Sequence, residues 1–469
     1  MLPLYHDNNE SPTKKSMTPL RRRTQQPKSG KHHILKSHAS SLLPSPSGDI
    51  PPPNGSLQPR KLCQAKHLGP PAISLCARAC CPSPALEQRL TFPSDYKDDG
   101  TNILLDANEN AYGPSLSADV AEKAANGVEV DLLGLHRYPD PHQEPLKKQL
   151  CELRNTHAHT DKTLKPENLF VGVGSDEAID ALLRCFCVPG KDRILTCPPT
   201  YGMYSVSAQV NDVALVKVPL LEAPTFSIDV PAVMEALTKE SNIKLVYLCS
   251  PGNPTGSVLA KSDVQQILDH PTWNGVVVLD EAYIDFAPED ASLAEWVTEF
   301  PNLVVMQTLS KAFGMAGIRL GAAFTSPPIA RLLNSLKAPY NISSPTSALA
   351  SYAVSEKGLA IMRDHRARLL EQRDRLIKEL PKIHGVGRLR GGTESNFLLY
   401  EMLNSAGEPD NTVALAVYEK LAEGKGVVVR FRGKEHGCQG CLRITVGTDA
   451  EVTRFLESLK TTLAEVRGS

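Results

Sequence analysis

Seven short apolar runs between residues 169 and 325 restrict what this chain can fold into more than any other feature. They read LFVGV (169–173), RILTC (193–197), ALVKV (214–218), KLVYLC (244–249), VVVLD (276–280), LVVMQ (303–307) and GAAFT (321–325). Several are apolar almost throughout instead of alternating, as expected of strands covered on both faces. Helical stretches lie between them. Strands separated by helices predict an α/β fold with a mostly parallel seven-stranded sheet flanked by helices. Right-handed crossovers should gather all the strand carboxyl ends along one edge, the usual ligand-binding edge of such sheets. The large domain is expected to span 138–342.

A different pattern follows. GLAIMRDHRARLLEQRDRLIKEL (358–380) reads as a long amphipathic helix. It leads to three more strand candidates, NFLLYE (396–401), GVVVRF (426–431) and CLRITVG (441–447), and to a closing helix from Glu451. These predict a smaller α+β domain with an antiparallel sheet over 343–469, with 95–137 as an amino-terminal arm that contributes to it.

The 469 residues carry a net charge of −1, but residues 1–90 hold 13 Lys/Arg against four Asp/Glu. That stretch is also rich in Pro and Ser, as in SLLPSPSGDIPPPNGS (41–56), and is too poor in apolar residues to offset its ordering entropy. Residues 1–94 are therefore expected to be a disordered basic tail. Early Asp7 and Glu10 and the prolines oppose a mitochondrial transit helix, which leaves a cytoplasmic location preferred. No run approaches a membrane span, and the tail lacks the interleaved aromatics of a nucleic-acid binder, so neither a membrane nor a nucleic-acid partner is expected. Eleven scattered cysteines suggest reduced thiols. His436, Cys438 and Cys441 form one Cys-x-x-Cys without a second pair, too little to predict a metal.

The chemistry sits just past the strand ends. In TLSKAFGMAGIR (308–319), Lys311 follows a strand, with Ser310 beside it and Arg319 eight positions on. This suits a lysine forming a Schiff base with pyridoxal 5'-phosphate, while Ser310 and Arg319 hold the phosphate. GVGSDEAIDALLRCF (172–186) starts a helix with Ser175, Asp176 and Glu177 in its first turn. The acids either cap the helix or share an anion seat at its amino terminus. Tyr201, in CPPTYGMY (197–204), can stack on a planar ring. Asn253 is pinned in CSPGNPTG (249–256) and can donate to a phenolate-type oxygen, as can Tyr283. Asp280 ends a buried strand and needs a cationic partner, which a protonated pyridine nitrogen provides.

The series G-S-D-E, P-T-Y-G-M-Y-S-V-S-A, S-P-G-N-P-T-G, D-E-A-Y-I-D-F, T-L-S-K-A-F-G-M-A-G-I-R and L-R-I-T-V-G-T resembles the fold-type I PLP-dependent aminotransferases. Within them it is most similar to the histidinol-phosphate aminotransferase family, in its fungal branch, from about Asn102 onward. The resemblance implies a ping-pong exchange through a Lys311 aldimine, between glutamate/2-oxoglutarate and histidinol phosphate/imidazole-acetol phosphate, in histidine biosynthesis. It makes Lys311, Asp280 and Tyr283 the catalytic set. It places Gly174, Ser175, Asp176, Ser310 and Arg319 around the cofactor phosphate, Tyr201 on the ring, and Asn253 and Tyr283 on the ring oxygen. Arg430, Arg443 and Asn108 fall to the substrate. Tyr138, in RYPDPHQ (137–143), would reach the neighbouring subunit's cofactor, implying a homodimer with shared sites.

One departure stands out. The family's L-x-P-Y-x-x-A-R-like stretch before its N-A-N-E motif is missing, and Tyr96 lies too near Asn108 to replace its tyrosine. The expectation is that the start of this chain is a mis-spliced or mistranslated one and that the tail carries no function. The competing readings are an aromatic amino acid aminotransferase, a phospho-amino-acid decarboxylase, a partner-binding protein that uses its basic tail, and a catalytically inert scaffold.

Overall fold

The computed structural model describes residues 102–117 and 135–468. The basic tail expected over 1–94, Tyr96 and much of the expected arm lie outside the described residues. In chain order, the arm contributes β1 (Ile103–Leu104), followed by α1 (Glu144–Arg154), β2 (Leu169–Val173), α2 (Gly174–Phe186), β3 (Arg193–Thr196), α3 (Met203–Val210) and β4 (Ala214–Lys217). Then come α4 (Val230–Lys239), β5 (Ile243–Cys249), α5 (Lys261–Leu268), β6 (Val276–Asp280), β7 (Leu303–Thr308), β8 (Leu320–Thr325) and α6 (Pro327–Leu336). The chain closes with α7 (Ser344–Ala353), α8 (Glu356–Glu379), β9 (Val386–Leu389), β10 (Phe397–Met402), α9 (Asn411–Lys425), β11 (Val427–Val428), β12 (Arg430–Phe431), β13 (Cys441–Thr445) and α10 (Asp449–Arg467).

All seven apolar runs join one sheet, in the order β2-β8-β7-β6-β5-β3-β4. Burial on both faces explains their composition. Val276 and Val278 of β6 pack into the cluster under α2, α3 and α6, while Val277 and Leu279 enter the larger cluster on the other face with α1, α4 and α5.

One strand departs from the expectation that all carboxyl ends share an edge. β8 runs antiparallel to both of its neighbours, β2 and β7. The connection from Thr308 to Leu320 is too short for a crossover helix packed on the sheet, so the chain turns back beside β7. The reversal has a functional consequence: it brings the start of β8, and with it Arg319, to the edge where the other strands end.

The smaller sheet is antiparallel, in the order β12-β13-β10-β9. The run 426–431 divides into two strands, because β11 pairs with β1 of the arm while β12 joins the sheet. β9 was not legible, being a short, half-exposed strand interrupted by Gly387. α10 starts two residues before Glu451. The Thr448 hydroxyl accepts from the Glu451 N–H, and the Glu451 carboxylate accepts from the Thr448 N–H at 2.7 Å, so Glu451 belongs to the first turn. The arm lies along this sheet: the Leu105 N–H donates to the Val428 carbonyl and the Thr445 N–H to the Leu105 carbonyl. It then carries residues 106–110 across to the ends of β6 and β7.

Candidate active site

Asp280, the last residue of β6, is 3% exposed. Burial pushes its carboxyl up to about 6, against hydrogen bonds from the Tyr204 hydroxyl and the Ala282 N–H. Tyr204 donates to Oδ2 at 2.5 Å and Ala282 to Oδ1 at 3.1 Å. Three residues on, the Tyr283 hydroxyl accepts from Asn108 Nδ2 at 3.0 Å and from Asn253 Nδ2 at 3.5 Å. Lys311, just past β7, points to the same place. Its Nζ donates to the Ala107 carbonyl at 3.0 Å and lies 5.8 Å from the Tyr283 ring centre.

The amino terminus of α2 and the start of β8 meet next to this group. Gly174 has φ +71°, and a Cβ there would stand 2.7 Å from Arg319 Nη2. A Cβ on Gly321 would approach the Gly174 carbonyl carbon and the Ser175 nitrogen to 2.5 Å. These two glycines therefore allow the first turn of α2 to sit against the guanidinium, with the Gly174 N–H donating to the Arg319 carbonyl at 3.0 Å. The two first-turn acids divide the readings left open by the sequence. Glu177 caps, accepting from the Val173 N–H at 2.5 Å and from Asn341. Asp176 instead accepts from the Tyr201 hydroxyl at 3.3 Å and lies 3.6 Å from Arg319. Ser310 is hydrogen-bonded to the Thr308 hydroxyl at 2.8 Å, and the Ser175 hydroxyl faces the Gln307 carbonyl at 3.5 Å.

The smaller sheet closes the other side. Arg443 of β13 is 4% exposed, donates from Nη1 to Asn253 Oδ1 at 2.7 Å and from Nη2 to the Asp106 carbonyl, and lies over the Phe397 ring. It has no ion-pair partner among the described residues, and burial, then the charge of Arg432, lowers it to about 9. Arg430 of β12 is its register partner and is half-buried. Asn108, at φ +53°, accepts from the Thr445 hydroxyl at 2.9 Å. Asp106 is buried, and neither of its carboxylate oxygens is hydrogen-bonded among the described residues. A buried guanidinium without a counter-ion, its Nε unbonded, is a site prepared for an anion.

The residues named from sequence thus converge, except Tyr138. It is 82% exposed and stacks on Tyr340 with ring centres 4.6 Å apart. Sequence reasoning missed Tyr204, although it stands one helical turn after Tyr201. Thr308, Thr445 and Asp106 were also missed, and nothing in their local sequence marks them.

Pyridoxal phosphate fits this donor set. Asp280 is a buried carboxylate for a ring nitrogen, Asn253 and Tyr283 offer a ring-oxygen pair, and Tyr201 is a flat aromatic held by Asp176. The side-chain-free turn at Gly174, with Ser310 and Arg319, gives a phosphate cradle.

The sequence matches the aminotransferase class I and II family over residues 101–459. It is 52% identical over 370 residues to histidinol-phosphate aminotransferase of Schizosaccharomyces pombe, covering 78% of this chain and 93% of the relative. It is 49% identical over 377 residues to that of Candida maltosa, covering 79% and 94%. The crystal structure of the Sinorhizobium meliloti histidinol-phosphate aminotransferase in complex with pyridoxal-5'-phosphate shares the fold, with a TM-score of 0.65 at 24% identity, over 77% of this chain and 90% of that one. With identity this high over nearly the whole length of two fungal relatives, and with Lys311, Asp280 and Arg319 at one edge of the large sheet and Arg443 facing them from the smaller one, the chain belongs to the class I and II aminotransferases and, within them, to the histidinol-phosphate aminotransferase family.

Proposed function

We infer that this chain is a pyridoxal-phosphate-dependent aminotransferase that exchanges an amino group between L-glutamate/2-oxoglutarate and L-histidinol phosphate/imidazole-acetol phosphate, a step of histidine biosynthesis. The observation that carries it is the placement of Lys311 and Asp280 at the ends of adjacent strands, opposite the buried, unpaired Arg443. When bound, the cofactor supplies an electron sink that makes the substrate Cα–H acidic. Lys311 Nζ, 5.8 Å from the Tyr283 ring centre, would be the base that takes the proton from the substrate Cα and holds it for return. Asp280 would hold a proton on the ring nitrogen. Asn253 and Tyr283 orient the ring by its oxygen. Glutamate leaves as 2-oxoglutarate before imidazole-acetol phosphate is aminated.

Arg443 binds the anionic end of the substrate with a fork of donors, and Arg430 adds charge beside it. Asn108 fastens the arm over the site through Tyr283 and Thr445. The stacked pair of exposed Tyr138 and Tyr340 supports a two-fold homodimer in which Tyr138 reaches the other subunit's cofactor phosphate. A mass equal to one chain in light scattering would refute that arrangement. The substrate assignment is tested by amine-exchange assays of the purified chain with histidinol phosphate, phenylalanine and threonine phosphate. Turnover of histidinol phosphate well above the other two is expected. Preference for phenylalanine, or carbon dioxide release from threonine phosphate, would replace it with the corresponding neighbouring activity.

A further inference from the structure

Tyr204 is fully buried, and the catalytic scheme above makes no use of it. Its ring is held on two sides: it stacks on Tyr247 with centres 4.8 Å apart and planes 23° apart, and Tyr201 packs against it edge-on at 5.5 Å. Tyr247 is itself tied to α2 by a hydroxyl that donates to the Ile179 carbonyl at 3.3 Å. The Tyr204 hydroxyl is thereby fixed on Asp280 Oδ2 at 2.5 Å. The other titratable groups acting on Asp280 are Asp176 from α2, Cys249 from the end of β5, Lys311 after β7 and the hydroxyls of Tyr201 and Tyr247. Lys311 favours the carboxylate and Asp176 opposes it. Among these groups, the Tyr204 hydroxyl is the side-chain donor hydrogen-bonded to the carboxylate.

We propose that Tyr204 is a positioning residue whose hydroxyl decides where the proton rests between Asp280 and the ring nitrogen of the bound cofactor. This rests on the reading that Asp280 meets that nitrogen. With Asp280 buried, the pair has two forms, a carboxylate facing a protonated nitrogen or a neutral acid facing a neutral one. A hydrogen bond to an ionised acceptor is stronger than one to a neutral acid, so donation from Tyr204 favours the first form. The Ala282 N–H acts in the same direction on Oδ1. Without the hydroxyl, one buried oxygen of the carboxylate loses its donor, and the proton moves toward Asp280. The ring then withdraws electrons less strongly, and Lys311 removes the substrate proton more slowly.

The test uses holoenzyme loaded with cofactor labelled with 15N in its ring, in the parent and in the Tyr204→Phe, Asp280→Asn and Tyr247→Phe variants. Tyr204→Phe removes one oxygen from a ring packed on both sides and leaves that packing in place. The parent should show the 15N shift of a protonated ring, and Asp280→Asn that of a neutral one. Tyr204→Phe should move toward the neutral value, with kcat lower by about 10- to 100-fold and KM for glutamate little changed. Tyr247→Phe, which cuts the tie of the stacked ring to the Ile179 carbonyl but keeps the Tyr204 hydroxyl, should retain the parent shift. A parent-like shift in Tyr204→Phe alongside a changed one in Asp280→Asn would overturn the inference and leave the Asp280 reading intact. An unchanged shift in both would overturn the Asp280 reading itself. A change in Tyr247→Phe as large as in Tyr204→Phe would assign the effect to packing and overturn the inference.

Discussion

The two walls of the site are prepared in opposite ways. On the large-sheet wall, Asp280 is buried with both oxygens hydrogen-bonded, and Glu281 behind it accepts from Leu293, Ser292 and Gln307, each at 2.7 Å. On the small-sheet wall, Arg443 lies buried without a carboxylate, its Nε unbonded, beside an Asp106 whose two oxygens have no partner. The first wall is satisfied within the chain. The second leaves the Arg443 charge without a counter-ion, which a bound anion would supply, while burial raises the Asp106 carboxyl toward its neutral form. The contrast suits a ping-pong enzyme, in which one group stays and two substrates share a single anion-binding wall.

The comparison is broken most severely at Lys311. Lys311→Ala should lower kcat by at least about 10⁴-fold, since both covalent attachment and proton transfer depend on it. It should also abolish the visible absorption band of the bound cofactor. A variant that kept the band and turnover within tenfold would remove Lys311 from its role. Arg443→Lys separates the walls, because it retains the charge and loses the fork that bonds Asn253 and the Asp106 carbonyl. We expect kcat/KM for histidinol phosphate to fall about 100- to 1,000-fold, with cofactor affinity unchanged in equilibrium titration. A loss confined to cofactor affinity would show that the two walls are not separate.

The smallest expected effect concerns stability. Burial raises the Glu281 carboxyl to about 7 from its ordinary 4.5. Between those values the folded chain holds a proton that the unfolded chain has released, so this residue's contribution weakens as pH rises through that window. The span corresponds to roughly 3 kcal/mol. In denaturant unfolding of the cofactor-free protein, Glu281→Gln should therefore gain on the parent between pH 4.5 and pH 8. A difference independent of pH would mean that Glu281 is ionised without penalty.

Much of this was readable in advance because it is local. A run such as VVVLD must be a strand covered on both sides, and the polar residue that ends it must sit at the sheet edge. Asp280, Asn253, Tyr283 and Lys311 follow from that rule. The direction of β8 did not, because GAAFT is equally apolar whichever way it runs, and only the short link from Thr308 decides it. β9 escaped because an edge strand half in solvent has little need for apolar residues. Asp106 and Tyr204 were hidden for another reason: their significance lies in partners far along the chain. Tyr204 and Asp280 are 76 residues apart, and Arg443 reaches the Asp106 carbonyl across 337.

The sequence by itself therefore determined the sheet, the edge at which the candidate site lies and the placement of Lys311 and Asp280 there, since these depend on periodicity and on residue type at strand ends. The tertiary structure alone decided which groups surround them: which first-turn acid caps and which faces Arg319, which tyrosine holds Asp280, and that Arg443 is left without a counter-ion. Those depend on burial and on contacts between distant segments, and a buried charge costs or contributes according to the partners the fold brings to it.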